Sequence, residues 1–213
     1  NDEMLHSVTN YECYKGLYSS FNCMNMFEIN HSLLRQFGPE NWTLYKGKHL
    51  LSFVDNHDVT RVASILNNAN HLPLIYTLAF GMPGIPCVYY GSEWGATGRK
   101  EDGDPALRVS FDTPVWNDLT TFISKLAVAK KSSNALNYGS FSSIVLTNEQ
   151  CIFLRQYNDE RVLVAINASE QPYFASFNIG TDTCTDLISG SEIKLNNGME
   201  LPGYSSFILQ PFS

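Results

Sequence analysis

The chain has 213 residues, 44% of them hydrophobic, and a formal net charge of −7 at pH 7. This composition supports one large or two small globular domains with sizeable buried cores. The negative charge and the lack of a basic stripe argue against a nucleic acid partner, because phosphate contacts need a positive surface. No apolar run reaches the roughly 18 residues of a membrane span, so we expect no membrane partner.

The first 54 residues predict a strand, two helices and a second strand. A short apolar piece around Val8 indicates the first strand. Apolar side chains at helical spacing then predict a helix near residues 14–21 and another near 26–37, which Gly38 and Pro39 end. The apolar run at residues 49–54 predicts the second strand.

Polar side chains follow this second strand at once, in the sequence FVDNHD at residues 53–58. Such a run is typical of the carboxyl end of a parallel strand in an α/β fold, where active sites lie. A structural interpretation stands beside the functional one, since Asp58 can instead cap the following helix.

The next part of the chain predicts a further helix, strand and helix. Pro73 suits the first position of a helix whose apolar stripe reaches Met82. Residues 85–90 are continuously apolar, which is typical of a strand buried on both faces. A long loop without regular structure follows at residues 91–116, and such loops are commonly functional. Residues 116–132 predict another helix.

Beyond residue 137 the pattern changes to short strands separated by turns. We predict seven strands, at residues 143–146, 151–157, 161–167, 173–178, 183–188, 192–195 and 205–209. Residues 158–160 and 196–198 are predicted hairpin turns. The fold class is therefore α/β plus all-β, with one domain at residues 1–134 and an antiparallel β-sandwich at residues 135–213.

Three motifs carry a resemblance to a known family. FVDNHD with the following Val59-Thr60-Arg61, and GMPGIPCVYYGSEWG at residues 81–95, resemble the later half of the catalytic barrel of the α-amylase superfamily. The run from Asp104 to Arg108 resembles an element of its neopullulanase and cyclomaltodextrinase-like branch. The resemblance implies a partial (β/α)8 TIM barrel, roughly the last three β/α units, followed by the β-sandwich.

The resemblance also implies roles for seven residues. Asp58 would be the catalytic transition-state stabiliser, which grips sugar hydroxyls as the ring distorts. Six residues would bind substrate: His57, Arg61, Tyr90, Glu93, Asp104 and Arg108. Arg61 would act mainly by orienting the Asp58 carboxylate, whereas Asp55 and Asn56 would be structural. Asp104 and Arg108 have an alternative interpretation as a surface ion pair that pins the long loop.

A retaining glycosidase also needs a nucleophilic carboxylate and a proton-donating acid, and no stretch before Asn10 matches either motif. We therefore expect the C-terminal part of an enzyme for α-glucosidic bonds of starch, maltodextrin or related α-glucans, inactive without an N-terminal barrel segment. Two alternatives stay open. One is a non-catalytic carbohydrate-binding or interaction module that uses Trp42, Trp94 and Trp116, and the other is a glucosyl transferase or isomerase.

The five cysteines form no C-x-x-C pair and are odd in number, so they predict neither a zinc site nor a disulfide framework. Unpaired cysteines favour a cytoplasmic protein, and a secreted one stays open. We expect no metal site in this chain. Where the family uses calcium, the resemblance implies earlier loops that this sequence does not contain.

Overall fold

Two helices open the fold, at the places that the apolar spacing predicts. The computed structural model describes residues 6–212. Helix α1 spans Tyr11–Asn22 and α2 spans Met26–Phe37, with Gly38 after its last residue. Asn10 caps α1, because its side-chain Oδ1 accepts a hydrogen bond from the Cys13 amide at 3.0 Å.

The parallel strands are shorter than the sequence predicts. Strand β1 spans Leu51–Phe53 and β2 spans Ile85–Cys87, and the two pair in parallel. Near the predicted first strand, Thr9 forms a single parallel bridge to Leu51. Three chain segments therefore run side by side, and their carboxyl ends lie at one edge.

The prediction that the 85–90 strand is buried on both faces is wrong for β2. Ile85 is 51% exposed and Cys87 is also exposed. The reason is that β2 pairs with β1 alone among the described residues, so its other edge lacks a neighbouring strand.

Two helices connect these strands. Helix α3 spans Val62–Ile65 and α4 spans His71–Gly81, so Pro73 is the third residue of α4 and not the first. Helix α4 is buried almost all round. A Cβ atom on its last residue would lie 2.6 Å from Val164 Cγ2, so only glycine permits this close packing against the antiparallel sheet.

The stretch at residues 91–116 is more ordered than predicted. It contains 3₁₀ turns at Ser92–Trp94 and Lys100–Asp102 and a short helix α5 at Asp104–Leu107. Helix α6 follows at Asp118–Ser132. The sequence did not predict the short helix α7 at Asn134–Tyr138.

The rest of the chain is antiparallel sheet, as predicted. Its strands are β3 (Ser140–Leu146), β4 (Gln150–Tyr157), β5 (Glu160–Asn167), β6 (Tyr173–Ser176), β7 (Thr183–Asp186), β8 (Glu192–Lys194), β9 (Gly198–Leu201) and β10 (Ser205–Pro211). Six of them form one sheet in the order β3-β4-β5-β10-β7-β8, and β6 pairs with β9. The sequence did not predict β9.

One predicted hairpin is confirmed and the other is wrong. Tyr157 lies opposite Glu160, so a two-residue turn joins β4 to β5, with Asn158 at a φ of 52°. The turn at residues 196–198 connects β8 to β9, which belong to different sheets. It therefore carries the chain from one sheet to the other.

Two apolar clusters hold these layers together. The larger joins α1, α2, α4 and α6 to β4, β5 and β10, and the smaller lies between the six-stranded sheet and the β6-β9 pair. Because the larger core crosses the predicted boundary at residues 134 and 135, that boundary stays a prediction. No helix within residues 6–212 has the length and apolar character needed to cross a membrane.

Candidate functional site

Asp55, the first acidic residue after β1, is buried, which agrees with the structural role that the sequence favours for it. Its side chain is 1% exposed. Oδ2 accepts hydrogen bonds from the Val62 amide at 2.8 Å and from Ser92 Oγ at 2.7 Å. Asp55 therefore satisfies the start of α3, which is the capping role that the sequence offered as an alternative for Asp58.

Arg61 lies in the core beneath the loop that follows β2. It is 0% exposed, and its Nη atoms donate to Tyr90 O at 2.8 Å, Ser92 Oγ at 3.1 Å and Leu107 O at 2.9 Å. The contact with Asp58 that the sequence predicted is not among these bonds. As the structure places it, Arg61 is too deeply buried for the substrate contact also assigned to it, and it joins the β1 and β2 loops.

Aromatic rings enclose this guanidinium. Its Cζ atom lies 4.7 Å from the centroid of the Tyr89 ring, 5.3 Å from Tyr90 and 5.8 Å from Phe111. Rings at such distances attract a cation through their electron-rich faces. The sequence analysis missed Tyr89, Ser92 and Phe111. The first two lie inside the YYGSEWG motif, whereas no local signal marks Phe111.

Asp58 and His57 point the other way, toward solvent. His57 Nε2 lies 3.2 Å from Asp58 Oδ2, and both side chains are about half exposed. The Asn56 side chain fixes the turn, because its Oδ1 accepts from the Asp58 amide at 2.8 Å and its Nδ2 donates to Tyr11 OH at 3.3 Å. The turn thus presents an acidic and an imidazole side chain together.

Arg108 brings the second loop to this pair. Its Nη2 lies 3.3 Å from Asp58 Oδ1 and 3.4 Å from Asp104 Oδ2. Lys100 donates to Asp104 at 3.2 Å. That hydrogen bond, with the charge of Arg108, lowers the pKa of the Asp104 carboxyl below its ordinary value. Asp104 and Arg108 form the ion pair of the alternative interpretation, and the pair also reaches Asp58.

Tyr90 and Glu93 occupy different depths of the same loop. Tyr90 is exposed and lines a cleft of about 450 Å³ together with Trp94, Arg108 and Phe111. Glu93 is partly buried, and its Oε2 atom has no hydrogen-bond partner among the described residues. The structure thus brings Tyr90 close to Arg108, which contacts Asp58, and leaves Glu93 deeper in the loop.

This arrangement suits the recognition of hydroxyl groups. Asp58 offers acceptor oxygens, while His57 and Arg108 offer donors a few ångströms away. Residues 6–212 contain no group of three or more His, Cys, Asp or Glu side chains that could hold a metal ion.

Asp55 gives this region an expected pH dependence. Burial raises the pKa of its carboxyl above the ordinary 3.8. The folded chain therefore holds the Asp55 proton more tightly than the unfolded chain does. The stability that Asp55 contributes is greatest below pH 3.8 and is lost as the pH rises through the raised pKa.

We expect the Tm of wild type minus the Tm of Asp55→Asn to fall as the pH rises from about 3.5 to 7, because only wild type acquires the buried charge. Circular dichroism melts across this range measure it. Asp159→Asn, at an exposed turn, is the matched control for the loss of one surface carboxylate. A difference for Asp55→Asn that does not change with pH would contradict the raised pKa.

Two family models together match most of the chain. The model described as alpha amylase, catalytic domain, matches residues 8–144, and the model described as maltogenic amylase, C-terminal domain, matches residues 144–208.

Two curated proteins are similar in sequence to most of this chain. A cyclomaltodextrin glucanotransferase of Thermoanaerobacterium thermosulfurigenes is 30% identical over 170 residues, which are 77% of this chain and 23% of that protein. An alpha-amylase of Niallia circulans is 29% identical over 151 residues, 69% of this chain and 28% of that protein. The chain thus spans about a quarter of the length of these relatives.

A solved structure shares the fold. The alpha-amylase of Geobacillus thermoleovorans, complexed with acarbose, is similar with a TM-score of 0.83 at 18% identity. The match covers 97% of this chain and 48% of that one.

Proposed function

This chain belongs to the α-amylase family, and from that membership we propose that it is the C-terminal part of a retaining enzyme for α-glucosidic bonds of starch, maltodextrin or related α-glucans. One observation carries the proposal. Asp58 stands exposed at the carboxyl end of β1, and it meets Arg108 from the loop after β2.

In the proposed site Asp58 is the transition-state stabiliser. Its carboxylate accepts hydrogen bonds from the hydroxyls of the sugar at the cleavage point, and His57 contacts the same sugar. These bonds strengthen as the ring flattens toward the oxocarbenium-like transition state, so they raise the rate more than the affinity. Arg108 lies on the other side of the carboxylate and holds it in place.

Further along the cleft, Arg108, Asp104 and Tyr90 contact sugars beyond the cleavage point. Tyr90 gives a flat apolar face on which a sugar ring packs. Glu93 and Arg61 lie beneath these residues and hold the loop that carries Tyr90 in place.

The reaction needs two more carboxyl groups about 5–5.5 Å apart. We propose that a barrel segment outside this chain supplies the nucleophile and the acid, and that the parallel strands here are the last of the barrel. The antiparallel strands would then be the β-sandwich appended to it. We assign no cofactor to residues 6–212, and any calcium would belong to the same outside segment.

Glucosyl transfer is the second candidate. Its support is that the T. thermosulfurigenes relative is a cyclomaltodextrin glucanotransferase. Hydrolysis and transfer share the covalent intermediate and differ in whether water or a sugar hydroxyl attacks it. The products formed from maltodextrin by the full-length enzyme distinguish the two.

Calorimetric titration of the 213-residue chain with maltoheptaose tests the proposal against a non-catalytic binding module. We expect no saturable heat at ligand concentrations up to about 1 mM, because a single wall of a cleft gives too few contacts. Saturable micromolar binding would contradict the proposal in favour of a module. Trp42 and Trp116 are 64% and 72% exposed, so Trp116→Ala would then identify the platform.

A further inference from the structure

One backbone carbonyl joins the two loops of the proposed site. Leu107, the last residue of α5, is 0% exposed. Its oxygen accepts a hydrogen bond from Arg61 Nη2 at 2.9 Å and another from the Tyr89 hydroxyl at 3.2 Å. A carbonyl oxygen has two lone pairs, so these two donors use its full capacity. Leu107 is therefore anchored from the loop after β1 and from the segment just after β2.

Arg108 follows this anchor directly and reaches Asp58. The Arg108 side chain is exposed, and its Nη2 atom lies 3.3 Å from Asp58 Oδ1. Its Nε atom lies 3.5 Å from the backbone oxygen of His57. Holding a long exposed side chain in one geometry costs conformational entropy. The contact with Asp58 therefore depends on how firmly the backbone of Arg108 is held, and Leu107 is the neighbouring anchor.

The Tyr89 ring is itself held in place, which fixes the direction of its hydroxyl. Its centroid lies 4.7 Å from the Cζ atom of Arg61, 4.6 Å from the centroid of the Tyr90 ring and 6.5 Å from that of the His57 ring. Partial burial, together with the Tyr90 phenol, raises the pKa of the Tyr89 hydroxyl above the ordinary 10. At neutral pH the hydroxyl therefore keeps the proton that it donates to Leu107.

We propose that Tyr89 is a positioning residue for the reaction proposed above, and this inference rests on the role given there to Asp58. The Tyr89 hydroxyl fixes the Leu107 carbonyl and, with it, the backbone from which Arg108 extends. Arg108 then holds the Asp58 carboxylate in the orientation that the transition state needs. Tyr89 itself contacts no sugar in this arrangement.

Tyr89 tests this path more cleanly than Arg61 does. Arg61 bonds two further groups, so its loss disturbs the whole loop. Replacing tyrosine by phenylalanine removes one hydroxyl and keeps the ring against Arg61. Leu107 then keeps a single donor and gains freedom to shift. A misplacement of about 1 Å in a catalytic group can lower the rate by about a hundredfold, so a small shift of Arg108 is enough to be measured.

The first experiment is the steady-state kinetics of Tyr89→Phe on maltodextrin, in the full-length enzyme. We expect kcat to fall by about three- to tenfold, which is the effect of one lost hydrogen bond. KM should change by less than about twofold, because the lost hydroxyl contacts no substrate. Tyr157→Phe is the matched control, since Tyr157 lies on β4 and is 40% exposed, and it should keep the wild-type kcat.

A double-mutant cycle with Arg108→Met shows whether Tyr89 acts through Arg108. In the Arg108→Met background, Tyr89→Phe should change kcat by less than about twofold, because the group that it positions is absent. A residue that only stabilises the fold would lower kcat by the same factor in both backgrounds. That additive result would overturn the proposal, as would an unchanged kcat or a rise in KM alone for Tyr89→Phe.

Two further measurements separate this proposal from the proposed function and from a folding defect. Asp58→Asn in the same assay tests the function, so if it lowers kcat and Tyr89→Phe does not, only the positioning role is overturned. Thermal melts of the 213-residue chain should place the Tm of Tyr89→Phe within about 4 °C of wild type, since Arg61 still holds Leu107. A loss of turnover that only follows the loss of folded protein would overturn the positioning role.

Discussion

Asp58→Asn should lower kcat of the full-length enzyme by a factor on the order of 10² to 10³, with a smaller change in KM. The physical reason is that the carboxylate acts chiefly in the transition state, where removal of one charge-stabilising group costs about this much. Asparagine keeps the shape of the side chain but loses the charge that faces the developing oxocarbenium ion. Steady-state kinetics on maltodextrin measure the change.

Folding should survive this substitution. Asp58 is about half exposed, and its contacts with His57 and Arg108 lie at the surface, where ion pairs contribute about 0–1 kcal/mol. Asp102→Asn is the matched control, since Asp102 is an exposed carboxylate near the same loop and should keep full turnover. Unchanged turnover in Asp58→Asn would refute the role given to Asp58, and lost turnover with a collapsed Tm would assign it to folding.

Arg61→Met should destabilise the chain by roughly 3–5 kcal/mol. The variant removes the three hydrogen bonds to Tyr90, Ser92 and Leu107 and leaves buried acceptors without their donor. For a chain of this size that corresponds to a fall in Tm of roughly 6–20 °C. Thermal melts of the 213-residue chain measure it, and they require no activity.

Two variants sharpen the Arg61 experiment. Arg61→Lys keeps the charge but cannot span three acceptors with one ammonium group, so we expect most of the loss. Arg99→Met removes an exposed arginine whose pair with Glu101 is at the surface and should stay within about 0.5 kcal/mol of wild type. If Arg61→Met melted like wild type, the network beneath the β2 loop would not stabilise the fold.

The sequence predicted most of the regular elements because their signals are local. Helix α2 has the predicted bounds, Met26–Phe37, since its apolar stripe and the glycine after it act within a few residues. The same holds for the turn that joins β4 to β5. The sequence did not predict strand β9, because this strand is only four residues long and pairs with β6, more than twenty residues earlier in the chain.

The sequence offered capping as the alternative role of Asp58, whereas the structure gives a bond of this kind to Asp55. Asp55 and Asp58 are three residues apart, and either could cap the helix that follows. The backbone path after β1 turns Asp55 into the core and Asp58 into solvent. That path depends on packing against the β2 loop, through Ser92, and not on the local sequence.

The sequence by itself determined the family, through FVDNHD and GMPGIPCVYYGSEWG, and the order of the helices and strands except the short elements α5, α7 and β9. Only the tertiary structure decided which residues meet. It brings Asp58 and Arg108, fifty positions apart, to 3.3 Å, and it sends Arg61 to backbone carbonyls beneath them. Periodicity and capping depend on near neighbours, whereas contacts between distant residues depend on sheet register and core packing, which no local pattern encodes.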